Sequence, residues 1–461
     1  MLGHASRRTK KPMPLDRLSP EDERILKLES ATIAGHTCKV AIVEPQPGSA
    51  RPSLADLRER IVGRLRFAPR CRCRLALTPL GLAPPAWVED EAFDVVNHVR
   101  RLPTAAPVSR DRFREIVADV MAQRLDRVRP LWQIDVVDPL VDGSIGLVWR
   151  LHHCMVDGVT ALKLGSALLW DGEAPGDPEP PGRGGDGYGA LELLTLGLGY
   201  RVRRAAAACA ATGRSLASLR LDQVARVPGA VRRELAPTAR PSPLDRRAGP
   251  TRAVAFASGE LADFKRIGHA VETAATVNDV VLAVVAGAVR AWLERRDAPG
   301  AEIRVKVPVS LHHHEERPGD LGNRDSYFFV DLPVDEPDPV RRLLAITRET
   351  SDRKSRHDAE LLYRLPAHRA VSRWALSPRV FTFNVSNVPG PAGPLSLLGA
   401  PVRELYSIAE IAERHALRIS VISASGVMFF AFCADAEAVP DVDVLAEGVT
   451  TSLEELLERV G

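Results

Sequence analysis

The 461-residue sequence predicts a mixed α/β protein built in two unequal parts. Short β-rich runs and helical apolar stripes follow one another on both sides of a single break, the pattern of a layered α/β architecture. The break is residues 171–190, where 11 of 20 positions are Gly or Pro, which no helix or strand interior tolerates. Composition points to a packed core, since 45% of residues are hydrophobic and 26% charged, unlike a disordered chain. The parts are expected at 14–170 and 251–461, with 171–250 as linker and helical connection.

Taken in order, Ser19-Pro20 before EDERILKLE reads as a helix start. Ser19 is the cap, Pro20 sits in the first turn and the acids face the positive helix end. Cys38–Val43 and Ile134–Val137 are β-rich runs, and Phe113–Leu125 carries a helical stripe. Ile145, Leu147, Trp149 and Leu151 alternate as a strand facing a core would. Beyond the break, residues 191–235 hold eight Arg against three acids among Leu, Ala and Val, interrupted at Pro228-Gly229. Two readings fit: a helical connection packed on the body, or helices lying on a membrane surface. Then Ala253–Ala257 reads as a strand, Val277–Leu293 as a long helix, and Ile303–Val309, Tyr327–Leu332 and Val380–Val385 as strands. Leu417–Ser423 and Val427–Cys433 are predicted to form a hairpin, and Ser452–Arg459 a closing helix.

Charge and apolar run length exclude several classes. With 62 basic and 59 acidic side chains, net +3, a dedicated nucleic-acid binder is not expected. The longest apolar stretches, Val280–Val289 and Val427–Ala434, fall short of the ~20 residues a bilayer crossing needs. The basic N-terminus lacks the apolar core of a signal peptide, and Met13, just before patterned sequence begins, is a second candidate start. Six cysteines without a CxxC pair suggest reduced thiols in a cytoplasm. The protein is therefore expected to be soluble or peripheral.

The stretch richest in chemistry is Leu151-His152-His153-Cys154-Met155-Val156-Asp157-Gly158. By alternation His153 shares a face with Trp149 and Leu151, and points toward an interior or a channel; His152 shares a face with Arg150. A neutral imidazole at that position can act as a general base. The plainer alternative is a hydrogen-bonded histidine at a strand end, followed by Asp157 as a helix N-cap. No metal is expected, because no third ligand is indicated and adjacent histidines lack the i, i+4 spacing of helical zinc sites. Cys154 invites a thiol-nucleophile reading, but its side chain should face away from that of His153, which favours packing.

Six further strings carry a family resemblance. Ser19-Pro20-Glu21-Asp22 with Leu26 and Glu29 opens the chain, and Pro130-Leu131-Trp132 precedes the His152–Gly158 motif. Asn278-Asp279, Pro308-Val309-Ser310 with Leu321-Gly322-Asn323-Arg324, Ser386–Pro391 (SNVPGP) and Val439-Pro440-Asp441 with Leu445 follow in order. Together they resemble the bacterial wax ester synthase/diacylglycerol acyltransferase family of the HHxxxDG CoA-dependent acyltransferase superfamily. The resemblance implies two chloramphenicol-acetyltransferase-like subdomains with a channel between them. It implies that His153 is the general base, that Asp157 holds the motif loop, and that His152 and Gly158 shape the turn. Asn278 is implied near the channel, either supporting an oxyanion or capping its helix.

The same resemblance implies acyl-CoA as co-substrate, no other cofactor, and diacylglycerol or a long-chain alcohol as acceptor. It also implies a cytoplasmic enzyme, peripherally associated with the inner face of the membrane or with lipid inclusions. Departures fall at Leu311–Glu316, at His36-Thr37 and at Tyr406–His415, where relatives carry a Tyr-Pro-x-Ser element. Two other readings compete: a carrier-protein-dependent condensation-type enzyme, and a catalytically silent protein of lipid surfaces.

Overall fold

A computed structural model describes residues 16–173, 191–204, 242–310, 325–356 and 377–460, without single positions at 49, 106, 272 and 299 and with a few residues between 228 and 236. Most of the 171–190 break, the His312–His314 run, Leu321–Arg324 and Arg214, Arg220, Arg226 and Arg233 lie outside the described residues.

The first part runs α1 (Pro20–Leu28), β1 (His36–Val43), α2 (Leu54–Arg64), β2 (Cys73–Ala76), β3 (Ala86–Glu89), β4 (Val99–Arg101), α3 (Arg110–Ala122), β5 (Trp132–Val137), β6 (Ile145–His152) and α4 (Gly158–Leu168). The second runs β7 (Arg252–Glu260), α5 (Leu261–Ala270), α6 (Val277–Glu294), β8 (Ile303–Ser310), β9 (Asp325–Leu332) and α7 (Pro339–Arg356). It continues with β10 (Phe383–Pro389), β11 (Ser396–Leu397), β12 (Ala400–Ala409), β13 (Leu417–Ala424), β14 (Val427–Asp435) and α8 (Val442–Val460).

Local signals account for several boundaries. The Ser19 hydroxyl accepts from the Asp22 amide and Pro20 fills the first turn of α1. β13 and β14 are joined by Ser425-Gly426, both at positive φ (50° and 86°), as a two-residue hairpin turn requires. On α3 the predicted stripe is buried through Phe113, Ile116, Val117, Val120 and Met121. That helix stops at Ala122, where the Arg150 guanidinium takes up the Val120 and Gln123 carbonyls. The strand predicted at Val380–Val385 begins only at Phe383. Val380 is held in a turn by Ser377, and Phe381 stacks on His415 and Phe329, so this apolar run packs rather than pairs.

Two six-stranded sheets form the body, ordered β11-β12-β1-β6-β5-β4 and β7-β14-β13-β10-β8-β9. The division expected at residue 251 is crossed by β11 and β12, which belong to the first sheet. β1 has all eight residues buried and pairs antiparallel with β6 on one side and β12 on the other, with Val40 opposite Tyr406. A strand buried on both faces needs a partner on each edge, and β12 supplies the second.

The second sheet is a wall between two apolar cores. Ile419, Val421, Phe430 and Phe432 join α6 and α8 in one core. The alternate residues Ile422, Ala424, Phe429, Ala431 and Cys433 join Val40, Tyr406 and Ile408 of the first sheet in the other. Period-two alternation along β13 and β14 therefore turns one face of the second sheet toward the first.

Among the described residues no helix is long and apolar enough to cross a membrane. Residues 191–204 are helical. Leu193 and Gly197 are buried on this helix, and a Cβ on Gly197 would come within 2.8 Å of Thr78 Cγ2, so it packs on the first part. Its other side exposes Leu191, Leu198 and Val202 together with Arg201, Arg203 and Arg204.

Candidate active site

β6 delivers the motif. Trp149, Arg150, Leu151 and His152 are all buried, and the Arg150 guanidinium pairs with Asp135 at 3.0 Å. The amide of His152 donates to the Leu131 carbonyl at 2.9 Å, so the Pro130-Leu131-Trp132 string acts as a brace for the strand end. Trp132 is anchored in turn through Nε1 on the Cys71 carbonyl.

The two histidines differ in kind. His152 Nδ1 accepts from the Cys154 amide at 3.1 Å, which leaves the proton on Nε2, 3.4 Å from Glu29 Oε2. Glu29 also pairs with Arg127 and Arg124. Burial opposes its charge, yet hydrogen bonds from His152 and Arg127 hold its carboxyl below the usual range. Both imidazole nitrogens of His152 are thus engaged at 1% exposure, tying the strand end to Cys154 and Glu29. In the sequence Glu29 stands out only as part of the opening Ser19–Glu29 string. It lies 123 residues from His152, and no local pattern links the two.

His153 falls one residue beyond the strand, in a turn where its amide donates to the Gly35 carbonyl at 3.0 Å. Alternation along β6 therefore does not set its direction; the turn does. Of residues 151–157 only His153 is not buried. Its pKa is lowered to about 4, first by loss of hydration and then by the charge of Arg418, while a hydrogen bond to its own backbone opposes the shift. The imidazole is thus neutral near pH 7. Cys154 is 1% exposed and burial pushes its thiol well above the usual range, which fits a packing residue.

Asp157 is the N-cap of α4, accepting from the Thr160 amide at 2.7 Å, and is 4% exposed. Its charge also reaches Lys39, an ammonium that burial lowers to about 8 and that bonds Ser407 Oγ at 2.5 Å. A Cβ on Gly158 would stand 3.3 Å from Val388 Cγ2, so glycine permits the close approach of β10 to the start of α4. The SNVPGP string and the histidine motif meet there. Asn278 is the second residue of α6, half-buried; the cap is Thr276 with Asp279 in a capping box, so Asn278 is not the capping residue.

The opposite wall comes from β10 and β13, with Asn384 beside Arg418, Ser386 beside Ser420 and Val388 beside Ile422. Arg418 donates to the Glu410 carbonyl, the Glu410 amide to the His36 carbonyl, and the His153 amide to the adjacent Gly35 carbonyl. One corner therefore holds both His153 and Arg418. A buried pair, Arg252 Nε to Glu410 Oε1 at 2.8 Å, locks that corner to β7, and Arg252 also reaches the Thr32 carbonyl. Half-buried residues line both sides of the seam: His153, Gly158, Val159 and Thr160 opposite Asn384, Ser386, Val388 and Arg418. A neutral, half-buried imidazole within reach of the Arg418 charge has the chemistry to accept a proton from a hydroxyl.

The fold is that of two-domain, chloramphenicol-acetyltransferase-like acyltransferases and condensation domains. The chain matches the structure of a wax ester synthase/diacylglycerol acyltransferase from Marinobacter aquaeolei VT8 with a TM-score of 0.70 and 23% identity, over 96% of this chain and 100% of that one. It matches the first condensation domain of the CDA synthetase with a TM-score of 0.60 and 13% identity, over 98% of each chain. In sequence, the family model of the wax ester synthase/diacylglycerol acyltransferase catalytic domain matches residues 18–281, and that of the WS/DGAT C-terminal domain matches residues 321–457. A putative diacylglycerol O-acyltransferase of Mycobacterium tuberculosis is 33% identical over 96% of this chain and 97% of its own. A probable diacylglycerol O-acyltransferase, tgs1, of the same species is 29% identical over 91% and 90%. The chain belongs to the wax ester synthase/diacylglycerol acyltransferase family.

Proposed function

We propose that this acyltransferase moves a fatty acyl group from acyl-CoA to the hydroxyl of diacylglycerol, and also to long-chain alcohols, with His153 as general base. The observation that carries the reading is the contrast within the motif: His152 is buried with both nitrogens engaged, while His153 is neutral and only half-buried. The acceptor hydroxyl gives its proton to His153 as its oxygen attacks the thioester carbon. The tetrahedral intermediate then expels CoA thiolate, which takes the proton back from the imidazolium. Transfer is direct, because the buried Cys154 supplies no thiolate, and acyl-CoA is the co-substrate with no further cofactor.

The test is release of free CoA from acyl-CoA in the presence of diacylglycerol, of a long-chain alcohol, or of neither. Acceptor-dependent release with diacylglycerol is expected. Release only when the acyl group is presented on a carrier protein would favour a condensation-type enzyme instead.

Acceptors of this kind reside in membranes or lipid inclusions, and we assign the exposed side of helix 191–204 as the surface that meets them. Arg201, Arg203 and Arg204 each contribute about 1 kcal/mol at an anionic surface, beside the exposed Leu198 and Val202. Sedimentation with anionic vesicles is expected, weakening as salt rises because such attraction is screened beyond about 8 Å at physiological ionic strength. The triple change of Arg201, Arg203 and Arg204 to Glu should reduce it. Equal sedimentation of the triple variant and the parent at low salt would rule this helix out as the anchor.

A further inference from the structure

We propose that the Ser420 hydroxyl is the hydrogen-bond donor to the oxyanion of the tetrahedral intermediate. The inference rests on the acyl-transfer reading above. It starts from β13, whose sequence, Leu-Arg-Ile-Ser-Val-Ile-Ser-Ala, has Ile419 and Val421 in the second core and Ile422 and Ala424 in the first. Alternation therefore turns Ser420 toward the first sheet. Two contacts bracket its position. Arg418, two residues before, is bonded to the corner that also holds the His153 amide. Ile422, two residues after, is the ladder partner of Val388, which lies against Gly158. Ser420 sits midway, about 7 Å along the strand from each, and so faces the turn from His153 to Gly158.

Ser420 is 3% exposed, and its Oγ has no hydrogen-bond partner among the described residues. A buried hydroxyl without a partner is destabilising; the ladder neighbours of Ser420 are Ala431 on β14 and Ser386 on β10. The unmet donor is accounted for if its partner is an oxygen that arrives with the substrate, as in preorganised oxyanion sites. α6, which carries Asn278 near its start, packs on the other face of the second sheet.

In the step itself the acceptor O–H bond breaks, its proton passing to His153, and the acceptor oxygen bonds the thioester carbon. The carbonyl π pair moves onto oxygen, and the Ser420 O–H donates to it without transferring its proton. Collapse restores the carbonyl and breaks the C–S bond.

The test compares Ser420→Ala and Ser420→Cys with the parent protein, reading kcat and KM for acyl-CoA with diacylglycerol, acceptor-free acyl-CoA hydrolysis, and thermal unfolding. Ser420→Ala is expected to lower kcat by about 10²–10³ with KM changed little, and to lower hydrolysis by a similar factor because the same oxyanion forms. Its melting temperature should stay level or rise, since an unpartnered hydroxyl is removed. Ser420→Cys, with a weak S–H donor, should be intermediate in rate. Parental kcat in a folded Ser420→Ala variant overturns the proposal. So does a rate loss in both variants that parallels a loss of melting temperature, which would mark a packing role. A parent protein that releases no CoA with any acceptor overturns the acyl-transfer reading and this inference together, an outcome distinct from the other two.

Discussion

Replacing His153 with alanine is expected to lower kcat/KM for acyl transfer by about 10²–10⁴ while leaving a folded protein, because removal of a general base costs that much and no fully buried side chain is lost. The pH dependence gives a second reading. The folded-state pKa lies below the usual 6.5, lowered to about 4 by loss of hydration and the Arg418 charge. The rate should therefore rise with pH through an apparent pKa below about 6.5 and level off near neutrality. For stability, a depressed histidine pKa means that the unfolded chain binds the proton first. Its contribution is fully present above about 6.5 and is lost as pH falls toward 4. His153→Ala should accordingly lose less stability than the parent between pH 6.5 and 4. Parental kcat/KM in the alanine variant, with diacylglycerol as acceptor, would remove His153 from the mechanism.

The parts of the site that were legible from sequence are those governed by local chemistry. Ser19 and Pro20 announce α1 because a cap and a first turn are decided within four residues. The Ser425-Gly426 hairpin is legible because two adjacent chains need only a turn of the right hand. The strand leading to His152 showed itself by period-two alternation, and the motif strings by their order along the chain. What stayed hidden is non-local. Nothing near Tyr406 announces that β12 leaves its neighbours in sequence to pair with β1, more than 360 residues away. Glu29 and His152, or Arg252 and Glu410, become partners only when the sheets assemble. Even the placement of His153 is fixed by a bond of its amide to the Gly35 carbonyl, beyond the end of its own strand, where alternation no longer applies.

The Arg252–Glu410 pair is where assembly and site depend on each other, and its disruption is the second large effect expected. Arg252 is 1% and Glu410 5% exposed. The arginine's remaining donors go to the Gly249, Thr251 and Thr32 carbonyls, while Glu410 also accepts from the Ala34 and Ile411 amides. Burial already pushes the Glu410 carboxyl up, and the Arg252 charge is the largest influence restraining it. Arg252→Met removes that restraint and leaves a carboxyl deep in the protein without its cation, a change that typically costs 3–5 kcal/mol. Two linked results are expected. In denaturant or thermal unfolding Arg252→Met should be strongly destabilised, and Arg252→Met combined with Glu410→Gln should recover much of the loss, because the uncompensated charge is gone. Below its unfolding transition the single variant should also transfer acyl groups more slowly. The Glu410 backbone that Arg252 holds in place is the one bonded to Arg418 and to His36, next to the Gly35 carbonyl that fixes His153. A single variant as stable as the parent would mean the pair is dispensable for joining the sheets. A double variant no more stable than the single one would mean that arginine's packing and carbonyl bonds, rather than its charge, hold this corner closed.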